Sequence, residues 1–240
     1  MNKKTIIIIG ATSGIGKALF ERYAKDCNRL GIIGRRTNLL DKLSQRYPAN
    51  TVTATADITK QDEAEQAIFS LQKELGSIEL AIVCSGIGEL NPSLDYNTER
   101  PIIDTNIMGW TFVVDMLYNV FEQQGHGHLV AITSAGGLRG EPMAPAYSAT
   151  KAYQINYMEA LRKKAYKSGG KITITDVRPG LVDTAMAKGE SLFWVMPVEK
   201  VACQIYTAIC SKKSKVYVTK RWHILAVINK NLPFTLYKRM

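Results

Sequence analysis

Seven short apolar runs, each separated from the next by a segment of helical periodicity, constrain this chain more than any other feature. They cover residues 5–9, 30–34, 51–56, 80–84, 128–133, 172–177 and 215–218. Continuous apolar runs read as strands buried on both faces, and a helix between successive strands is the connection that a parallel sheet requires. The order predicts a doubly wound, three-layer α/β/α fold with a parallel sheet of about seven strands. Long helical stretches are expected over 95–124 and 147–167. The 240 residues, 46% of them hydrophobic, suit one domain with a buried core. It spans 1–220, and residues 221–240 form a basic, apolar tail of the same domain.

The first run ends in Gly10-Ala11-Thr12-Ser13-Gly14-Ile15-Gly16, and a helix is expected from about Gly14. Small residues let backbone N–H groups approach a phosphate at a helix N-terminus, where the helix dipole also favours an anion. Between a strand and a helix, this loop reads as the pyrophosphate site of a Rossmann-type, dinucleotide-binding fold. A glycine turn kept only for packing would leave the next motif without a purpose.

That motif is Tyr147-Ser148-Ala149-Thr150-Lys151, thirteen residues beyond Ser134 in Ile132-Thr133-Ser134. Residues four apart share a helix face, so the Tyr147 phenol and the Lys151 ammonium point into one site. A nearby cation is expected to lower the phenol from its ordinary value of about 10, readying it for proton exchange. Ser134 would orient the substrate oxygen.

Charge and cysteine usage exclude other classes. The formal charge is +10, but residues 211–240 hold eight basic residues and no acid, leaving +2 for residues 1–210. A nucleic-acid module is therefore not indicated, and no nucleic-acid motif occurs. Cys27, Cys84, Cys203 and Cys210 have no metal-ligand spacing and are expected as buried, reduced thiols. His126-Gly127-His128 reads as a solvated turn, and no metal is expected. No apolar run approaches a membrane span, and the run at 6–9 is too short for a signal-peptide core, so the expected location is cytoplasmic.

In motif order the chain resembles the short-chain dehydrogenase/reductase family from Thr5 to about Val218. The family's glycine motif matches Gly10, Gly14 and Gly16, its adenine-ring aspartate matches Asp57 beside Ile58, and its active-site asparagine matches Asn106. Ser134, Tyr147 and Lys151 match the remaining catalytic positions. Pro179-Gly180-Leu181-Val182-Asp183-Thr184 looks like the segment bounding the nicotinamide, with the Val182 backbone and Thr184 as contacts. The family's Asn-Asn-Ala-Gly is replaced by Val83-Cys84-Ser85-Gly86, keeping only the glycine. The resemblance implies that Lys151 holds the nicotinamide ribose, that Asn106 supports a water relay toward solvent, and that helices around 153–166 and 198–210 form a homodimer or homotetramer.

Cofactor choice falls on the end of the second run, Gly34-Arg35-Arg36, where residues 32–37 contain no acid. A guanidinium matches a ribose 2′-phosphate, so NADP(H) is expected over NAD(H), with Arg35 the leading contact and Arg36 the more readily solvated. The expected reaction is hydride transfer between nicotinamide and a carbonyl or secondary alcohol, with Tyr147 as acid and base. Leu138, Met143, Met186, Leu192, Phe193, Trp194 and Met196 suggest a lipophilic cleft, and Arg139 and Lys188 an anion contact. The alternative is a non-catalytic dinucleotide-binding sensor or scaffold, which has no need of Ser134, Tyr147 and Lys151 together. Residues 222–237 mix apolar and basic groups. They are expected to pack on their own domain or a second protomer, with peripheral contact to an anionic membrane as the other reading.

Overall fold

The computed structural model describes residues 3–26, 28–187 and 194–239. It has the expected order: β1 (Thr5–Ile9), α1 (Gly14–Lys25), β2 (Arg29–Gly34), α2 (Thr37–Arg46), β3 (Thr51–Thr55), α3 (Gln61–Leu75) and β4 (Leu80–Val83). Then come α4 (Tyr96–Ile103), a π-helical turn (Asp104–Gly109), α5 (Trp110–Gln124), β5 (Gly127–Ile132), a 3₁₀ turn (Ala135–Leu138) and α6 (Pro145–Lys167). The chain finishes with β6 (Ile172–Pro179), α7 (Val198–Cys210), β7 (Lys215–Val218), α8 (Lys220–Asn231) and α9 (Phe234–Tyr237).

The strands form one parallel sheet in the order β3-β2-β1-β4-β5-β6-β7. Alternate β1 residues serve opposite cores. Ile7 and Ile9 join Ile68, Leu71, Trp110, Leu117 and Phe121 beneath α3 and α5, whereas Ile6 and Ile8 join Leu19, Phe20, Leu40, Val201 and Ile205 beneath α1, α2 and α7. Both faces of the strand are apolar because both are covered. Burying each such side chain is worth about 2 kcal/mol.

The strand order reverses between β1 and β4, and at such a switch point an open α/β sheet has a crevice beyond its strand ends. The glycine loop leaves β1 at this point. The stretch expected as one helix over 95–124 is interrupted: Pro101 lies within α4, and the π turn that follows carries Asn106, fully buried. Such turns recur at functional sites because they redirect one residue without ending the helix.

Two expectations are corrected. His128 is buried in β5, and its Nε2 meets Thr175 Oγ1 at 2.7 Å, so it is no solvated turn residue. Cys203 and Cys210 are exposed free thiols, because positions 203, 207 and 210 form the outer face of α7. Cys84 is half-buried and free, and Cys27 lies outside the described residues.

Candidate active site

Glycine is required in the loop after β1 by close approach. Gly10 has φ +85°, and a Cβ there would lie 2.8 Å from the Ser85 amide nitrogen, while one at Gly16 would collide with the Gly10 carbonyl. Gly14, at φ +51°, faces Thr184, whose Cγ2 would be 3.3 Å from an added Cβ. The 179–184 segment therefore lies over the start of α1. Ser13 at the N-cap makes no side-chain cap bond and the first turn has no acid, so the helix presents N–H groups and a positive dipole end. This cradle fits a pyrophosphate.

Arg36 reaches back to this loop, donating from Nη2 to Thr12 Oγ1 at 2.7 Å and Ser13 Oγ at 2.9 Å. Arg35, expected as the leading contact, instead sits 3.6 Å from Asp57 Oδ2 with most of its side chain exposed. Asp57 also accepts from the Thr59 amide and hydroxyl through Oδ1. Burial works against the Asp57 carboxylate, yet the Thr59 bonds and Arg35 outweigh it and hold its pKa below the ordinary value. Ile58 buries its side chain in the core, leaving only backbone for a ligand.

Beyond β5, Ser134 Oγ accepts from the Gly136 amide at 3.0 Å. Behind it, Thr133 donates to buried Asp176 at 2.6 Å, and Asp176 pairs with Arg178 at 2.7 Å. On α6, burial of the phenol end pushes Tyr147 above its ordinary pKa, and a hydrogen bond with Ser134 opposes that shift. Gly88 makes room for the ring, since a Cβ there would lie 2.7 Å from Tyr147 Cδ2.

Lys151 does not act on Tyr147 as expected. Its Nζ lies 5.9 Å from the Tyr147 ring centroid and donates to Gln154 Oε1 at 2.9 Å and the Ile132 carbonyl at 3.3 Å. The ammonium gives these hydrogen bonds to Gln154 and Ile132, and the Tyr147 shift is set by burial and Ser134. Burial brings Lys151 down to about 8, opposed by Cys84 and Asp176, while burial pushes the Cys84 thiol up to about 12. Gly86 provides the space, a Cβ there falling 3.2 Å from Lys151 Nζ.

Asn106 is held on every side. Its Oδ1 accepts from the Ile87 amide at 2.9 Å, its Nδ2 donates to the Ile87 carbonyl at 2.8 Å, and its main-chain carbonyl accepts from Gln154 Nε2 at 2.8 Å. That carbonyl is thus bound by a side-chain amide of α6.

Sequence reasoning overlooked three supporting residues. Gln154 lies on the buried face of α6 among Met158, Leu161 and Ala165, and a polar residue on an apolar face was the available signal. Asn91 donates to Glu99 Oε1 at 2.5 Å, and Glu99 Oε2 accepts from the Ala146 amide at 3.0 Å, which fixes the start of α6 beside Tyr147. No local pattern marks that pair.

The candidate substrate segments divide. Leu138 is half-buried, and Met143, Met186 and Trp194 are exposed. Leu192, Phe193 and Lys188 lie outside the described residues. Arg139 is no free anion contact: its Nη2 donates to the Leu232 carbonyl at 2.6 Å, and its guanidinium stacks 4.6 Å over Tyr237. Val182 bridges Met196, and Trp222 covers Gly180 so closely that a Cβ there would collide with the indole. A groove lined by Ile87, Gly88, Asn97, Thr98 and Pro101 adjoins Tyr147 through Gly88.

Residues 4–192 match the family model described as short chain dehydrogenase. An uncharacterized oxidoreductase of Myxococcus xanthus is 31% identical over 191 residues, covering 78% of this chain and 75% of that protein. One from Mycobacterium tuberculosis is 31% identical over 194 residues, covering 78% and 76%. Among solved structures, a short chain dehydrogenase from Burkholderia cenocepacia in complex with NADP superposes with a TM-score of 0.85 at 19% identity, covering 99% of this chain and 97% of that one. A short chain dehydrogenase/reductase from Burkholderia phymatum in complex with NAD gives 0.83 at 18% identity, covering 95% and 93%. The chain belongs to the short-chain dehydrogenase family.

Proposed function

We propose that this protein is an NADP(H)-dependent reductase of a carbonyl compound, with Tyr147 as the proton donor. The observation that carries the reading is the meeting of three groups at the switch point of the sheet: a glycine cradle at the start of α1, the Ser134–Tyr147 pair and the buried Lys151. Amides of residues 10–16 would hold the pyrophosphate. Thr184 and the Val182 backbone would bound the nicotinamide, and the Asp57, Ile58, Ser85 and Gly86 segments the adenosine half. When bound, the dinucleotide supplies or accepts a hydride.

Ser134 and Tyr147 address the same substrate oxygen. A phenol held above its ordinary pKa is protonated throughout the neutral range, which suits giving a proton to a developing alkoxide. Ser134 donates a second hydrogen bond to that oxygen. Lys151 keeps a positive charge beneath the ring and one N–H free for the nicotinamide ribose.

NADP(H) is favoured over NAD(H) by the Arg36 guanidinium above Thr12 and Ser13, with Arg35 alongside. Those solved relatives with NADP or NAD leave both cofactors open within the family. Tyr147→Phe should abolish NADPH-dependent turnover across a panel of lipophilic ketones while NADPH fluorescence titration stays nearly unchanged. Arg36→Asp and Arg35→Asp should weaken NADPH binding far more than NADH binding, and equal loss for both would defeat the assignment. A sensor or scaffold would bind NADPH and turn over nothing on such a panel. The expected assembly is a homodimer or homotetramer in the cytoplasm, to be read from sedimentation and cell fractionation.

A specific observation also favours contact with an anionic membrane surface. One side of α8 covers the domain, with Ala226 buried, whereas Ile224 and Ile228 on the other side are 64% and 56% exposed and Phe234 is 70% exposed. Arg221, Lys230, Lys238 and Arg239 flank them, and residues 211–240 carry no acid. Among the described residues no helix is long and apolar enough to cross a membrane, so this face would lie on it, each basic group contributing about 1 kcal/mol. Co-sedimentation with phosphatidylserine vesicles should be lost in an Ile224→Glu, Ile228→Glu double variant and weakened by salt. Unchanged sedimentation would remove the idea.

A further inference from the structure

Lys151 has a role in the reductase proposed above, but the buried amide that holds it, Gln154, has none. Beneath the Tyr147 ring, three buried groups are linked in series: Lys151 Nζ donates to Gln154 Oε1 at 2.9 Å, and Gln154 Nε2 donates to the Asn106 main-chain carbonyl at 2.8 Å. Gln154 and Asn106 are fully buried. The amide orientation follows from chemistry, since an ammonium only donates and a carbonyl only accepts. We propose that Gln154 is a positioning residue that links Lys151 on α6 to the buried Asn106 backbone and fixes the ammonium beside the Tyr147 ring.

Oε1 accepts from Lys151 and Nε2 donates to the Asn106 carbonyl, so a single neutral amide spans α6 and the π turn and holds the ammonium from behind.

Three titratable groups face Lys151: Cys84 after β4, Asp176 on β6, itself paired with Arg178, and Tyr147 on its own helix. Gln154 is neutral and adds an acceptor to this set. Replacing it by leucine removes the acceptor, and replacing it by glutamate adds an anion in the same place. The two changes must move the Lys151 titration in opposite directions, whereas damage to packing would move both alike or neither.

The experiment follows Lys151 by NMR of ¹³Cε-labelled lysine in the cofactor-free protein, with Lys151→Met assigning the signal and circular dichroism confirming the fold. In Gln154→Leu the midpoint should fall by about one unit, and in Gln154→Glu it should rise by about one. Coincident midpoints in all three proteins, or shifts of the same sign, would overturn the proposal. The proposal rests on the reductase reading for its meaning, but this readout needs no turnover. If Tyr147→Phe keeps its activity, that reading fails while the Lys151 titration still judges Gln154. With an active enzyme, Gln154→Leu should also move the basic limb of the kcat/KM profile down with the NMR midpoint, and a limb that stays put counts against the positioning role.

Discussion

His128 offers a test in which the magnitude follows directly from the structure. It sits on β5, the strand that leads to Ser134, with 7% of its surface exposed. Thr175 Oγ1 donates to the Lys213 carbonyl at 2.6 Å, so that hydroxyl accepts from His128 and the proton of the neutral ring is on Nε2. Burial, then the charges of Lys4 and Lys212, bring His128 from 6.5 down to about 4. The unfolded chain therefore binds a proton that the native state refuses. The stabilisation is present above pH 6.5 and is lost as pH falls toward 4, where it reaches about 3 kcal/mol of lost stability relative to neutral pH. Between pH 7 and pH 5 the loss is about 2 kcal/mol, or about 4–8 °C in Tm for a chain of this size. Urea unfolding at both pH values should show His128→Gln losing about 2 kcal/mol less than the parent over this interval, because glutamine keeps a donor for Thr175 and does not titrate. Equal losses in the two proteins would refute the argument, for the other titrating groups are common to both.

Gly88→Ala places a methyl 2.7 Å from Tyr147 Cδ2; the ring must shift, and kcat/KM should fall about 100-fold with NADPH binding by fluorescence little changed. Asp176→Asn leaves the buried Arg178 without its ionic partner and should cost about 3–5 kcal/mol in denaturant unfolding. The Asp176→Leu, Arg178→Met double variant should recover much of that, and a double variant worse than the single would contradict the reasoning. Glu99→Ala removes the carboxylate that accepts from Ala146 and Asn91; it should cost about 1–2 kcal/mol and raise KM as the start of α6 loosens.

The sheet was legible because buried parallel strands write themselves as unbroken apolar runs, and β1 holds four consecutive isoleucines serving two cores. The glycine loop and the Ser134, Tyr147 and Lys151 cluster were legible because each depends on residue type at fixed spacing. The direction of Lys151 was not. Helical spacing puts Tyr147 and Lys151 on one face, but where an ammonium points is decided by acceptors on other elements, Ile132 on β5 and Gln154 one turn on. The break in the 95–124 helix was equally hidden, since Pro101 is the local sign of a π turn that carries the buried Asn106. His128 was misread because a strand buried on both faces gives no alternation from which a polar residue's direction can be taken.

Arg139 shows the same limit and ties the tail to the site. As a loop arginine it reads as a free cation. Its guanidinium is instead spent on the Leu232 carbonyl and the Tyr237 ring, while the Tyr237 hydroxyl donates to the Gly140 carbonyl. The end of the chain is thereby fastened to the segment between Ser134 and Tyr147. Trp222 on Gly180 fastens the start of α8 to the segment that overlies the glycine loop. The inner side of α8 and its following turn thus brace both walls of the cleft, and the opposite side of the same helix carries Ile224 and Ile228 outward. If that outer face rests on lipid, the braced mouth is held at the surface where lipophilic carbonyl compounds partition. Turnover of such ketones should then rise when phosphatidylserine vesicles are added to the parent, and the Ile224→Glu, Ile228→Glu variant should not respond. A parent enzyme that binds the vesicles with no change in turnover would separate the tail's docking from the chemistry of the cleft.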